Sequence, residues 1–194
     1  MSSSVSRGLS GAGVPDFGPA GEIRQVFPSQ WAAALEIVAE TERAARVDIL
    51  ALRGSEIIAL ADSLVRAAAA RPGPGAVHVR VLLLDPASAA AASRAAELGD
   101  DAESFAAEIR LVAAQLQALA DQTAGLQLAV YYYATMPVWR MIVIDGVQYV
   151  STLCAGWDGN DSAVYKLAES AHSALYPGFR QVFENHLDCA SRVI

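Results

Sequence analysis

The sequence predicts an α/β protein, a three-layer α/β/α sandwich on one mixed sheet, from three observations. Apolar runs of strand length alternate with stretches of helical periodicity along the chain. One of those runs, His78–Leu84, is apolar enough to be a central parallel strand covered on both faces. Asp145-Gly146 between Trp139–Ile144 and Val147–Leu153 is a strong hairpin signal, which adds antiparallel strands to the parallel ones. The order βαβ, then helices, then several strands and a last helix fits that architecture.

The elements follow in order. Residues 1–22 are rich in Ser, Gly and Pro with no periodic apolar pattern, so they read as a mobile tail, and residues 23–194 as one domain. Phe27-Pro28-Ser29 opens a helix to about Ala45, in which Trp31, Leu35, Val38 and Ala39 recur at helical spacing. Val47–Leu52 is a short strand ending at Arg53-Gly54, and Ser55 starts a second helix that Arg71-Pro-Gly-Pro-Gly75 stops. Strand His78–Leu84 ends at Asp85-Pro86. Two helices cover about 87–98 and 101–121, the second with Phe105, Ile109, Val112 and Leu116 on one stripe. After Gly125 come strand Leu126–Tyr133 and the hairpin. Ala163–Leu167 is a further strand, and Tyr176 to Ile194 reads as a closing amphipathic helix.

Composition narrows the function classes. The chain is 54% hydrophobic and 18% charged, which is a globular balance at 194 residues, enough for a core without disulfides or metals. A net charge of -7 repels phosphate backbones, so non-specific nucleic-acid binding is disfavoured. No apolar stretch approaches the roughly 18–20 residues that span a bilayer. The start, Met1-Ser-Ser-Ser-Val-Ser-Arg7, lacks an apolar core with a cleavage signal, and Cys154 and Cys189 show no metal-ligand spacing. The expectation is a soluble cytoplasmic protein with two free thiols, no metal and no cofactor. Arg71-Pro-Gly-Pro-Gly75 precedes a strand, which is the wrong context for a nucleotide loop.

Two places draw attention as candidate ligand sites. Arg53-Gly54-Ser55 lies between a strand end and a helix start, and Asp85 ends the neighbouring strand. Ligands of α/β sheets collect at such carboxyl ends. The competing readings are an ordinary loop capped by Ser55 and an Asp-Pro strand exit. The second place is the hairpin, where Val138, Arg140 and Asp145 have the spacing H-x-K-x4-D, and Ser151-Thr152 follows where a small pair belongs, within one residue. Here too the bland alternatives stand: Arg140 turned to solvent, and Asp145 simply making the turn. Tyr131, Tyr132 and Tyr133 alternate across a strand, as core or as a stacking face. The loop Asp158-Gly-Asn-Asp161 reads as a surface turn, a lid or an oxygen-rich cation site that lacks EF-hand spacing.

The hairpin, the strand His78–Asp85 with Pro86, and the closing Tyr176-Pro-Gly-Phe179-Arg-Gln-Val-Phe183 segment together resemble a single phospholipase D-like half domain. More narrowly, they are similar to the degenerate domains of bacterial regulatory proteins, here without a preceding helix-turn-helix. In active members of that family a histidine attacks phosphorus, lysines hold the non-bridging oxygens and the aspartate orients the histidine. Two motifs are needed, from tandem repeats or two subunits. The resemblance implies that Val138 has replaced the nucleophile, and that no catalytic residue remains. It also implies a homodimer in which Arg53, Gly54, Asp85, Arg140, Asp145 and Ser151 border a recognition pocket for a small anionic ligand or a protein partner. The runner-up is an enzyme with repurposed, perhaps biosynthetic, chemistry through Cys154, Asp145 or Asp161. A purely structural interaction module is the third reading.

Overall fold

The computed structural model describes residues 21–55, 64–69, 76–153 and 161–194. The strands are β1 (Ile23–Phe27), β2 (Arg46–Leu50), β3 (Val77–Leu84), β4 (Leu126–Tyr133), β5 (Trp139–Ile144), β6 (Val147–Thr152), β7 (Val164–Ala168) and β8 (Ser191–Arg192). The helices are α1 (Gln30–Thr41), α2 (Leu64–Ala69), α3 (Ala89–Leu98), α4 (Ala102–Gln122) and α5 (Leu175–Asp188). All eight strands form one sheet in the order β1-β7-β6-β5-β2-β3-β4-β8. β2, β3 and β4 run parallel, whereas every other pairing is antiparallel. The fold is thus the mixed α/β class expected.

Residues paired across adjacent strands share a face, which sorts the layers. Tyr149 donates from its hydroxyl to Glu36 of α1, and Arg110 of α4 acts on Tyr132, so these helices lie on the face of Val47, Ile49, Val79, Val81, Val130 and Ile142. α2 packs against α1, and α3 against α4. The opposite face carries α5: Phe179 meets Trp139, Phe183 lies under Arg80, His186 meets Tyr133, and Gln148 donates to the Tyr176 carbonyl oxygen. Four described helices therefore cover one face and α5 the other.

Sequence logic sets most boundaries. Ser29, Ser88 and Asp101 cap α1, α3 and α4 by accepting from backbone N–H groups of the first turn, and Gly99 closes α3 in the left-handed region at φ +74°. The start of α5 has no such cap. Glu22, distant in sequence, accepts from the N–H groups of Ala174 and Tyr176 instead, and those bonds hold its carboxyl below the ordinary value.

Three expectations need correction. Helix α1 buries Gln30, Ala33, Ile37 and Thr41, while Trp31 and Leu35 stand 63% and 87% exposed, because the short residues Ala33 and Thr41 let the helix sit close to the sheet. The closing helix stops at Asp188, and the chain then pairs with β4 as β8 instead of staying helical to Ile194. Ile23–Phe27 is a strand although its alternation is weak, because β7 presents an edge for it to pair. The Arg71–Gly75 segment and most of the tail lie outside the described residues.

Under α5 the sheet carries charge. Arg80 donates to both oxygens of Asp48 at 2.6 and 2.8 Å and to Glu184 at 3.1 Å, with its guanidinium carbon 4.9 Å from the Phe183 ring centre. Bonding to Asp48 raises the Arg80 pKa further above an already high value. Breaking a pair of this kind by removing one partner typically costs about 3–5 kcal/mol when it is fully buried.

Asp145 occupies the hairpin turn at φ +48°, a conformation that Asp and Asn tolerate better than other residues with a Cβ. Its carboxylate accepts from the N–H groups of Ala45 and Arg46 at 2.9–3.2 Å, which ties the turn to the start of β2. Asp145→Ala is expected to lower unfolding stability by about 1–2 kcal/mol, and Asp145→Asn by less. Urea denaturation of the three proteins checks this ranking.

Candidate functional site

β5 runs antiparallel beside β2, so its first residues lie at the carboxyl ends of the parallel strands. β6 ends there too, at Thr152, and α1 begins there after β1. Arg53, Gly54, Asp85, Arg140 and Ser151 therefore share one end of the sheet. Asp145 does not. It stands five residues along from Arg140, about 17 Å at strand rise, at the amino ends of the parallel strands.

Arg140 and Ser151 are cross-strand partners on the α1 face, and each is only 3% exposed. The Arg140 Nε donates to Ser151 Oγ at 3.4 Å, a long bond for a charged donor. A guanidinium has five N–H donors in a fixed fork, and keeping it charged away from water demands anionic or strongly polar company. Two further buried polar side chains come to this end. Gln30 opens α1 and Ser162 precedes β7 by two residues, at 5% and 4% exposure. Gln30 Oε1 and Ser162 Oγ make no hydrogen bond to a described residue. Buried side-chain oxygens without a hydrogen bond are uncommon, and these two lie at the same end of the sheet. Val138, two residues before Arg140, is 61% exposed, and its carbonyl oxygen accepts from the Leu153 N–H. An aliphatic side chain there offers no nucleophile, base or acid.

The other candidates are engaged elsewhere. Arg53 donates to Asp100 and Glu108 at 3.0 and 3.1 Å and packs 5.1 Å from the Phe105 ring centre, so it joins the loop after β2 to α4. Gly54 adopts φ +79°, which the turn out of β2 requires of it. Asp85 accepts from the Ala87 N–H at 2.8 Å, and its carbonyl oxygen accepts from the Ser88 hydroxyl, which makes it the pivot of a turn into α3. Asp145 holds β2, as described. Of the six sequence candidates, Arg140 and Ser151 bond each other.

Gln30 and Ser162 escaped the sequence reading. Gln30 was legible in principle as the polar member of an i, i+3, i+7 row with Ala33 and Ile37, had that face been chosen over Trp31 and Leu35. Ser162 sits in a turn-rich stretch with no periodic signal.

Tyr133 is core, its hydroxyl donating to the Ala51 carbonyl oxygen at 2.7 Å. Cys154 and most of the Asp158–Asp161 loop lie outside the described residues, while Asp161 is exposed. Among the described residues no three His, Cys, Asp or Glu side chains converge as metal ligands. No described helix is long and apolar enough to cross a membrane.

No family model matches the chain, and neither does any curated protein. Solved structures do. TrmBL2, an archaeal chromatin protein described as showing a novel mode of DNA binding, aligns with a TM-score of 0.51 at 14% identity, over 91% of this chain and 57% of that one. The chain thus spans a little over half the length of that protein, and the likeness is one of fold. Nuc, a phospholipase D family member from Salmonella typhimurium, aligns with a TM-score of 0.47 at 12% identity, over 87% of this chain and 96% of that one. NucT from Helicobacter pylori gives 0.45 and 11% over 86% of this chain and 96% of that one.

Arg53→Ala is expected to cost about 1–2 kcal/mol of stability, from a lost cation–π contact and two half-exposed ion pairs. Thermal unfolding of the native chain and the variant side by side checks this.

Proposed function

We propose that the chain is a phospholipase D-like domain that has lost its catalytic histidine and acts as a homodimeric regulatory module, binding a small anionic group at Arg140. The observation that carries this reading is Arg140 itself. A permanently charged guanidinium lies 97% buried beside Ser151, with the unbonded oxygens of Gln30 and Ser162 at the same end of the sheet. Guanidinium geometry suits an oxyanion with two or more oxygens, such as a phosphate or carboxylate. Hydroxyl and amide groups nearby suit its remaining protons or its neutral portion. With Val138 where the resemblance requires a nucleophile, binding has no covalent step to follow it.

The dimer is supported by what the same end exposes. Met136 and Val138 precede β5, and Trp31 and Leu35 lie on the first turns of α1, all apolar and open. Apolar side chains gathered at one end of a monomer favour self-association, and a two-fold axis there brings two Arg140 ends together. A protein partner at this end is the alternative occupant. The net charge of -7 opposes carrying over DNA binding from the chromatin protein.

Isothermal titration with inorganic phosphate, alongside sedimentation velocity, tests both halves. The native chain is expected to sediment as a dimer and bind phosphate, and Arg140→Met to stay dimeric while binding at least about tenfold more weakly. Trp31→Glu is expected to shift the equilibrium toward monomer. Equal phosphate affinity in native chain and Arg140→Met removes the anion reading, and a monomer at every concentration removes the dimer.

A further inference from the structure

Helix α1 carries apolar residues on two sides. Ala33, Ile37 and Thr41 face the sheet, while Trp31, Leu35 and the half-buried Val38 recur at helical spacing on the outer side. The inner contact is thin. It consists of an alanine methyl, one isoleucine, and a threonine whose hydroxyl donates back to the Ile37 carbonyl oxygen at 2.7 Å. Few large apolar side chains hold such a helix loosely, so packing alone leaves α1 free to shift on the sheet.

A charged clamp seats it instead. The sequence holds 14 lysines and arginines together, and Lys166 is the one lysine among them. It projects from β7 toward α1, and its ammonium donates to Glu36 and, at 3.3 Å, to Glu40, carboxylates one turn apart on the helix. The same Glu36 oxygen accepts from the Tyr149 hydroxyl at 3.1 Å, and the ammonium stands 5.6 Å from the Tyr149 ring centre. A compact ammonium with three rotatable donors suits two carboxylates and a ring, where a planar guanidinium fork fits poorly. Tyr149 is the cross-strand neighbour of Lys166 and stands two residues from Ser151 on the same face, about 7 Å along the strand. The clamp therefore adjoins the Arg140–Ser151 pair.

We infer that anion binding at Arg140 and self-association are linked through α1, with Lys166 as the positioning residue. This rests on the anion site and the dimer proposed above. Gln30, the first residue of α1, is buried at the Arg140 end, and Trp31 follows it on the outer side. An anion at Arg140 that accepts from the Gln30 amide fixes the first turn of the helix. Trp31 is then already held when it meets the second copy, and less ordering remains for association. The link is reciprocal, so dimerisation tightens the anion by the same factor. The clamp gives α1 one defined seat from which to transmit this. Without it the helix shifts whether or not the anion is bound, and the link is lost.

The test is sedimentation velocity over a concentration series, with and without saturating inorganic phosphate at matched ionic strength. Isothermal titration of phosphate runs in parallel. The native chain is expected to dimerise about fivefold or more tightly with phosphate present. Lys166→Met, neutral and of like length, is expected to bind phosphate and to dimerise, with the phosphate effect on the dimer gone. Glu40→Gln keeps Glu36 and Lys166 paired and is expected to reduce the effect; it carries the test where Lys166→Met does not fold. A lysine of purely structural role would lower the melting temperature of Lys166→Met and leave the phosphate effect in place, which overturns the assignment of Lys166. Saturable phosphate binding to a native dimer whose constant does not change overturns the link and leaves the anion site and the dimer standing. Absence of phosphate binding, or of a dimer, overturns the proposed function and this inference with it.

Discussion

The bond between the Asp145 carboxylate and the N–H groups of Ala45 and Arg46 joins the two halves of this sheet. On one side lie the three parallel strands, on the other the antiparallel set β5, β6, β7 and β1. A one-residue slip between β2 and β5 would turn Ile142 and Ile144 toward α5 and Val143 toward α1, exchanging the contents of the two layers. With the register fixed from the turn, β5 has one possible placement. Its first residues then lie at the carboxyl ends of β2 and β3, where α/β sheets hold their ligands.

That placement gives Asp145 and Arg140 different tasks. Asp145 works through backbone donors at one end of the sheet, and its substitution is a matter of stability. Arg140 works at the other end, as a buried charge next to a hydroxyl. An arginine inside a sheet is costly unless its donors are satisfied, and aliphatic residues of like volume are often the more stable choice there. Arg140 lies beside Ser151, with Gln30 and Ser162 buried at the same end, and the proposed anion site rests on that grouping. The charges under α5 differ, because Asp48, Arg80 and Glu184 complete one another and secure the helix.

Much of the architecture was legible in the sequence. The long apolar runs of β3 and β4, the serine and aspartate caps and the Asp-Gly turn each carry a local cause, and local causes survive into the fold. Errors fell where tertiary contact outweighed pattern. Trp31 and Leu35 mark a helix correctly and its inner face wrongly, since the chain buries the smaller residues against the sheet. β1 and β8 exist because neighbouring edges pair them. For the site, spacing located Arg140 and Ser151 through strand register, a local property. It also grouped Asp145 with them, although five residues of strand separate it from Arg140. The roles of Arg53 and Asp85 depended on α4 and on the turn into α3, which spacing does not record.

Whether Arg140 is a binding group or a structural one is the claim on which the functional account rests. The most direct measurement is a titration of isotope-labelled chain with inorganic phosphate, following side-chain Nε–H resonances of the arginines together with backbone amides. The account predicts a saturable shift at Arg140 Nε–H and at the amides of Gln30, Ser151 and Ser162, with Arg53 and the turn at Asp145 unmoved. An unshifted Arg140 resonance, while exposed arginines drift together with ionic strength, would contradict it and make the buried guanidinium part of the scaffold alone.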